Sequence, residues 1–314
     1  MRRAFVEALS AAAEADPDLW LLTADLGYSV LEPFCERFPE RTINVGVAEQ
    51  NMIGIATGLA LTGKRVVAYS IVNFATLRCL EQIRNDVCYH AASVKIVGVG
   101  GGYSYGPQGY THHGLEDLAV MRALPNIDVI APADPAEARL ATQHMLGAPG
   151  PAYMRLGKTG ERPLHDGLFA VSPGRMIRCR DGEDALIVTT GGLLEEALDA
   201  ADLAVRDGVS VAVWSSPWLR PFDAESVSEA ATRFSTIVTA EEGVARGGLG
   251  SAVAEVLASL PGRAARLVIA SADDIPYSLA TSQALARQHA RLDAAGLAAR
   301  IVGARKQPVV QPNS

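Results

Sequence analysis

An acidic residue stands at the start of the stretch NVGVAEQNMIGIATGLAL, residues 44–61, which otherwise has the pattern of an apolar helix. Glu49 shares one helical face with Met52 and Ile53, at i+3 and i+4. A helix that is apolar almost all round belongs inside a domain or an interface, where an ionised carboxylate is costly unless it is paired. Either Glu49 lies in the first turn and interacts with the helix dipole, or its carboxyl group has a chemical role.

A glycine-rich stretch, GVGGGYSYGPQGYTHHG at residues 98–114, follows a predicted strand. It does not fit a dinucleotide-binding loop, because Tyr103 stands where G-x-G-x-x-G requires its third glycine and no helix pattern follows. Function concentrates on loops at the strand ends of parallel sheets, so His112 and His113 are candidate active-site residues. The alternative is a surface loop whose histidines are only solvated.

Three other patterns have both a structural and a functional interpretation. The stretch NFATLRCLEQIRNDV predicts a helix with an apolar stripe that begins at Phe74. Gly54 and Gly58 leave a strip without side chains, which suits either core packing or close approach of another helix. Arg155 and Lys158 end a predicted strand, where they could meet a phosphate or simply be solvated.

Strand and helix patterns alternate along both halves of the chain. In the first half, RVVAYSI, SVKIVGVG and IDVIAPA read as strands, and DPAEARLATQHML reads as a helix with Asp134 as N-cap and Glu137 in a capping box. In the second half, ALIVTT, VSVAVW, TIVTAEE and ARLVIAS alternate with helical patterns. This alternation predicts an α/β fold with two domains, each a mostly parallel sheet flanked by helices. The predicted limits are a first domain at 1–160, a linker at 161–182, a second domain at 183–306 and a loose tail at 307–314.

The composition narrows the functional classes. The 314 residues are 49% hydrophobic, which is enough for two domains with proper cores. The formal charge of −7 and the lack of a Lys/Arg stripe argue against nucleic acid or an anionic membrane as partner. The four cysteines show neither metal spacing nor the density of a disulfide framework. We therefore expect no protein-bound metal cluster, no membrane span and a reducing, cytoplasmic setting.

Four stretches occur in the order seen in transketolases and 1-deoxyxylulose-5-phosphate synthases. They are INVGVAEQNMIGIATGLAL, VAYSIVNFATLRCLEQIRND, YTHHGLEDLAVMRALPNIDVIAPADPAEA and VTAEEGVARGGLGSAV. Over nearly its whole length the chain resembles the pyrimidine-binding domain followed by the C-terminal domain of those thiamine diphosphate enzymes. The motif with which that family anchors its cofactor, GDG followed later by Asn, is missing from this sequence. The resemblance thus implies the smaller subunit of a split transketolase, whose partner subunit supplies the diphosphate and Mg²⁺ sites, in an α2β2 assembly.

The resemblance also implies roles for individual residues. Glu49 would hydrogen-bond N1′ of the aminopyrimidine and favour the imino tautomer whose 4′-nitrogen takes the proton from the thiazolium C2. To donate this bond the carboxyl must carry a proton, and apolar surroundings favour the neutral acid by desolvation. Phe74 would stack on the aminopyrimidine, and His112 would hydrogen-bond the oxygens of the donor sugar as charge develops on them. The other implied site residues are Asp25 and Tyr69 at the cofactor, and Ser29, Gln108, His113 and Arg155 at the substrate.

The expected activity is transfer of a two-carbon ketol unit between a ketose and an aldose, both small sugar substrates. The β subunit of a 2-oxoacid dehydrogenase is an alternative, because it shares the two-domain layout and a Glu at the same place. A non-catalytic assembly subunit is a second alternative.

Two positions depart from the family pattern. Transketolases of the sugar-phosphate type carry Asp four residues before the active-site His and another His about a dozen residues before it. Here these positions are Gln108 and Gly100, and Tyr103 and Tyr105 add bulk nearby. An amide both donates and accepts hydrogen bonds, whereas a carboxylate only accepts. We therefore expect a substrate other than the usual pentose phosphate pair.

Overall fold

Two sheets organise the chain, and helices flank both of them. The predicted tail at 307–314 lies outside the part of the chain that this computed structural model describes. None of the described helices is long and apolar enough to cross a membrane. The described residues are 1–158, 160–165, 170, 172–262 and 265–306.

Within these ranges, strands and helices alternate as the sequence patterns predict. The strands are β1 (Leu19–Thr23), β2 (Thr42–Asn44), β3 (Arg65–Ile71), β4 (Val94–Val99), β5 (Asp128–Ile130), β6 (Ala152–Leu156), β7 (Ile177–Arg180), β8 (Ala185–Thr189), β9 (Val211–Ser215), β10 (Trp218–Arg220), β11 (Thr236–Val244) and β12 (Arg266–Ala272). The α-helices are α1 (Arg2–Ala15), α2 (Glu32–Arg37), α3 (Glu49–Leu61), α4 (Val72–Ala75), α5 (Leu80–Gln82), α6 (Asp117–Ala123), α7 (Pro135–Gly147), α8 (Leu194–Val205), α9 (Ala224–Arg233), α10 (Leu249–Ser259), α11 (Gln283–His289) and α12 (Ala294–Lys306).

The first sheet has the strand order β10-β5-β6-β4-β3-β1-β2 and is parallel except for β10. The second sheet has the order β12-β11-β8-β9-β7 and is parallel except for β7. The predicted fold class, two mostly parallel sheets flanked by helices, is therefore confirmed. In each sheet the parallel strands end on one edge, and the loops that leave this edge are the usual place for a site.

The sequence does not predict β10, which comes from the second half of the chain but belongs to the first sheet. Trp218 pairs with Ile130 of β5 in antiparallel register and is buried. The strand has three residues and a proline on either side, so it lacks the length and alternation that mark a strand in sequence. As a result, a segment inside the predicted second domain completes the sheet of the first.

Helix α7 begins as the capping pattern predicts. The Asp134 side chain accepts a hydrogen bond from the backbone N–H of Glu137 at 2.8 Å. The Glu137 carboxylate accepts from the N–H of Ala133 at 2.7 Å, one residue earlier than in a standard capping box. Both acids are buried, so these bonds satisfy backbone donors that water cannot reach.

The two halves are also joined by a buried carboxylate on β11. Glu242 accepts hydrogen bonds from the backbone N–H of Tyr103 in the first half at 2.6 Å, and from Gln283 and Arg287 in the second at 3.0 and 2.6 Å. Burial raises the pKa of Glu242, but the charge of Arg287 and the hydrogen bonds outweigh it and hold this pKa below its ordinary value. The ionised form of Glu242 is therefore the form that the interface between the halves requires.

We expect Arg287→Met to lower the free energy of unfolding by about 3 kcal/mol, because it leaves the buried Glu242 carboxylate without its cation. The measurement is urea unfolding of the purified chain at pH 7. Since the folded-state pKa of Glu242 is lowered, the contribution of the pair is present above the unfolded value of 4.5 and fades as the pH falls through the folded value. Arg139→Met is the matched control, because Arg139 pairs with Glu7 where both side chains are about half exposed. An equal loss in the two variants would contradict the role assigned to Glu242.

Candidate active site

The predicted site residues lie on loops and helix starts at the carboxyl edge of the first sheet. Asp25 and Ser29 follow β1, Glu49 is the first residue of α3, Phe74 follows β3, and His112 lies in the loop after β4. Arg78 contacts both Glu49 and Phe74, and the Phe74 ring contacts His112.

Glu49 is 2% exposed, so its carboxyl group is removed from water as the apolar helix predicts. The structure also gives it two polar neighbours that the sequence did not reveal. Ser70 of β3 donates to one carboxyl oxygen at 3.3 Å, and Arg78 donates to the other at 2.6 Å. Glu49 is therefore a paired acid in this state, rather than an isolated one.

The segment after β3 does not form the continuous helix that its apolar stripe predicts. It runs through α4, a 3-10 turn at Leu77–Cys79, α5 and a π-helical turn at Ile83–Cys88. The Thr76 hydroxyl donates to the Val72 carbonyl at 2.6 Å and so competes for a helical acceptor. Arg78 lies in the 3-10 turn, and its guanidinium carbon is 4.2 Å from the centre of the Phe74 ring in α4.

Phe74 connects this segment to the histidine loop. Its ring meets the His112 ring edge-on, with centroids 5.3 Å apart. The Asn73 amide donates to the carbonyls of Thr111 and His113 at 3.2 and 2.8 Å, which fixes the loop against α4. Asn73 is thus a positioning residue that sequence reasoning missed, and His112 is partly accessible beside Phe74.

His113, predicted at the substrate, packs between aromatic rings in this structure. It is 1% exposed, and its ring meets that of Tyr103 edge-on at 5.4 Å and that of Tyr277 at 5.9 Å. Burial lowers the pKa of His113 below its ordinary value, so the neutral ring is favoured. The two adjacent histidines therefore separate, with only His112 near Phe74.

Tyr69, predicted at the cofactor, also lies away from Glu49. Its ring stacks on Phe5 of α1 at 6.0 Å, in the core on the opposite face of the sheet, and it is 1% exposed. Neighbouring residues of a strand point to opposite faces, so Ser70 rather than Tyr69 faces Glu49. The packing of Tyr69 therefore does not favour its assignment to the cofactor, which stays a prediction.

The two positions that depart from the family pattern lie in one loop. Gly100 has φ of +83°, and a Cβ atom there would lie 2.0 Å from the Tyr105 ring. The Tyr105 ring thus occupies the space that a side chain at position 100 would need. Gln108 ends the 3-10 turn at Gly106–Gln108 and is exposed. The loop therefore presents an amide and an aromatic ring in place of an acid and an imidazole.

The loop after β1 is exposed and carries two left-handed residues, Asp25 with φ of 52° and Ser29 with φ of 63°. Asp25 accepts a hydrogen bond from the Tyr28 hydroxyl at 2.7 Å, and its N–H donates to the Asn44 amide oxygen at 2.9 Å. Beside Ser29 lies an open groove of about 810 Å³. The groove is lined by the basic side chains of Arg2, Arg3, Arg37 and Lys158 and by the acidic side chains of Glu7, Glu14 and Glu161.

Arg155, predicted to bind a phosphate, uses its guanidinium group inside the protein. It is 8% exposed, donates to the Glu242 carbonyl at 2.5 Å and lies 3.5 Å from the Asp117 carboxylate. Lys158, on the same strand end, has its ammonium group 4.6 Å from the centre of the Tyr105 ring and lines the groove. Arg155 lies within β6 and is buried, whereas Lys158 follows the strand and is the more accessible of the two cations.

The described residues contain no group of three or more His, Cys, Asp or Glu side chains that could hold a metal ion. All four cysteines are free, and burial raises the pKa of the Cys79 thiol to about 12, so that this thiol is neutral.

Comparison with known proteins places this geometry in a family. Residues 1–162 match the transketolase pyrimidine binding domain, and residues 174–295 match the transketolase C-terminal domain. The chain is 36% identical to an apulose-4-phosphate transketolase subunit of Actinobacillus succinogenes, over 92% of this chain and 93% of that protein. It is also 36% identical to the 6-deoxy-6-sulfo-D-fructose transketolase subunit SqwH of Clostridium sp. strain MSTE9, over 82% of this chain and 80% of that protein.

A solved structure described as a split gene transketolase, inactive beta4 tetramer, superimposes with a TM-score of 0.89 at 36% identity. The match covers 96% of this chain and 97% of that one. The chain therefore belongs to the transketolase family, with a pyrimidine binding domain followed by the C-terminal domain.

Proposed function

We propose that this chain is the pyrimidine-binding subunit of a two-subunit, thiamine diphosphate-dependent transketolase. The observation that carries the proposal is the buried Glu49 carboxyl group, which Arg78 links to the Phe74 ring, with His112 in contact with the same ring. A flat ring seated on Phe74 would bring a ring nitrogen to Glu49. The names of two relatives, which describe transketolase subunits, support the same activity. These matches favour a transketolase over the β subunit of a 2-oxoacid dehydrogenase.

Bound thiamine diphosphate supplies a nucleophilic carbon that breaks and forms a carbon–carbon bond next to a carbonyl group. The protonated carboxyl group of Glu49 would donate a hydrogen bond to N1′, and Phe74 would orient the aminopyrimidine ring. His112 donates to substrate oxygens on which negative charge grows, where a fixed donor stabilises the transition state most. Asp25 lies in the neighbouring loop, on the side of the sheet edge where β1 ends.

We assign the anionic end of the substrate to the groove beside Ser29. The side chains of Arg2 and Lys158 line it, and Ser29 presents its hydroxyl at the same rim. Arg155 remains a second candidate contact, although its present hydrogen bonds tie it to Glu242. Gln108, at the exposed end of the loop, would form a hydrogen bond with a hydroxyl group of the sugar.

A separate subunit would hold the diphosphate and Mg²⁺, since the described part of this chain offers no acidic cluster for a metal and the sequence lacks the GDG motif. Gly54 and Gly58 are exposed on α3, and apart from the adjacent residues and the backbone of the helix itself no described atom lies within 4 Å of a Cβ built at either position. This bare strip suits close contact with another subunit in an α2β2 enzyme. One relative's description of its beta4 tetramer as inactive supports the need for a partner.

The isolated chain should bind thiamine diphosphate weakly and show no transketolase activity. Adding the pyrophosphate-binding subunit should restore both, because only then is the diphosphate held. Calorimetric titration with and without that subunit, followed by a coupled transketolase assay, provides the measurement. Tight cofactor binding by the chain alone would contradict the split site.

Glu49→Gln should leave the fold and the assembly intact but reduce turnover of the complex by at least about 100-fold, the usual scale for losing proton control by a positioned acid. Glu81→Gln is the matched control, because Glu81 is exposed on α5 in the neighbouring segment. Normal turnover of Glu49→Gln with cofactor bound would favour the assembly-subunit alternative.

The unmodified complex should use xylulose 5-phosphate with ribose 5-phosphate poorly, because Gln108 and Tyr105 replace the hydrogen-bonding pattern of the usual site. Gln108→Asp should raise kcat/KM for this pair by about tenfold, close to the effect of one matched hydrogen bond. Steady-state comparison of the two complexes tests this. Efficient turnover of the pair before any substitution would refute the altered specificity.

A further inference from the structure

The Arg78 guanidinium lies between the two groups that the proposed function assigns to the aminopyrimidine. One of its nitrogens donates to Glu49 at 2.6 Å, while its central carbon lies 4.2 Å from the centre of the Phe74 ring. The site therefore already contains a flat, nitrogen-rich group that touches the acid and the ring together.

The chemistry of the two groups is closely matched. A guanidinium is planar, stacks on aromatic faces and donates N–H bonds to a carboxylate. An aminopyrimidine is also planar, stacks on the same kind of face and presents a ring nitrogen at its edge. Both require contact with Phe74 and with Glu49, so they compete for one position.

We propose that Arg78 occupies the aminopyrimidine half-site in the free chain and leaves Glu49 when the cofactor binds. This inference rests on the proposed function. Its consequence is a change in proton number. The ion pair with Arg78 uses the carboxylate form of Glu49, whereas a hydrogen bond donated to an unprotonated N1′ uses the carboxylic acid form. Each site therefore takes one proton from solvent as the cofactor replaces the guanidinium.

The exposure of the pair allows this exchange. The Arg78 side chain is 42% exposed and can turn into water, whereas that of Glu49 is 2% exposed and cannot follow. An ion pair with one half-exposed partner is weak enough to be displaced. Gln50 donates to the Arg78 carbonyl at 3.0 Å, so the backbone of Arg78 stays in place while its side chain moves.

Few other ionisable groups face Glu49. The segment after β3 presents Arg78 and the Cys79 thiol, which is neutral near pH 7, and β3 presents the Ser70 hydroxyl. The histidine loop presents His112, whose ring contacts Phe74 edge-on. On α3 itself the next two residues are the neutral Gln50 and Asn51. Arg78 is thus the cation in direct contact with the carboxylate.

The test is thiamine diphosphate affinity of the reconstituted complex, measured by calorimetry at saturating Mg²⁺ between pH 7.0 and 8.5. One proton taken up should weaken binding of the unmodified complex by about tenfold for each pH unit. Arg78→Met should lose at least half of this dependence and bind more tightly at pH 8, because a buried acid without its cation favours the protonated form. Arg84→Met is the matched control, since exposed Arg84 bonds Asn85 and not Glu49; it should keep the full dependence.

The variants separate the possible failures. If Arg78→Met does not assemble, Arg78→Gln carries the same test with a neutral polar side chain. A pH-independent affinity of the unmodified complex overturns the inference, and so does an unchanged dependence in the Arg78 variants. If Glu49→Gln abolishes the dependence while the Arg78 variants keep it, the inference fails but the role of Glu49 stands. If the dependence survives Glu49→Gln, the assignment of Glu49 to N1′ fails as well.

Discussion

The carboxylate of Glu242 joins the two halves of the chain, and the shape of the histidine loop depends on it. This group is buried, so its charge must be met by protein donors. Arg287 and Gln283 bind it from the second half, and the backbone of Tyr103 binds it from the first. The Tyr103 ring packs against His113, whose neighbour is His112. Through this chain of contacts, a salt bridge in the second half helps to position an imidazole in the first.

Two buried acids in this protein are stabilised in different ways. Glu242 has several donors, and its cation Arg287 is itself largely buried, so nothing from outside can replace them without great cost. Glu49 has a long bond from Ser70 and one half-exposed cation. Both acids are buried, so it is the exposure of the paired arginine that distinguishes the structural carboxylate from the one that is available to a ligand.

The periodicity of hydrophobic residues was sufficient to predict the two sheets and most of the helices. The sequence motifs singled out Glu49, Phe74 and His112, which the structure connects through Arg78 and the Phe74 ring. Where the observed contacts differ from the expected ones, the differences have physical causes. Strand alternation places Ser70 beside Glu49 and turns Tyr69 to the other face, and this could have been read from the sequence. The contacts of Arg78 and Asn73 could not. Arg78 lies in a 3-10 turn that interrupts an otherwise helical pattern, and Asn73 bonds a loop 38 and 40 residues away in sequence. His113 is buried by Tyr277, a residue distant in sequence.

The short strand β10 has a consequence for synthesis of the chain. Without residues 218–220, β5 is an edge strand with unpaired backbone groups, and such edges are prone to pair with other chains. A ribosome that has released residues 1–160 has therefore made six of the seven strands but has left this edge open. The first domain closes only after some sixty further residues have emerged. Proteolysis or a stop codon between the domains would yield a fragment in which β5 is an unpaired, aggregation-prone edge strand, rather than an independently folded domain.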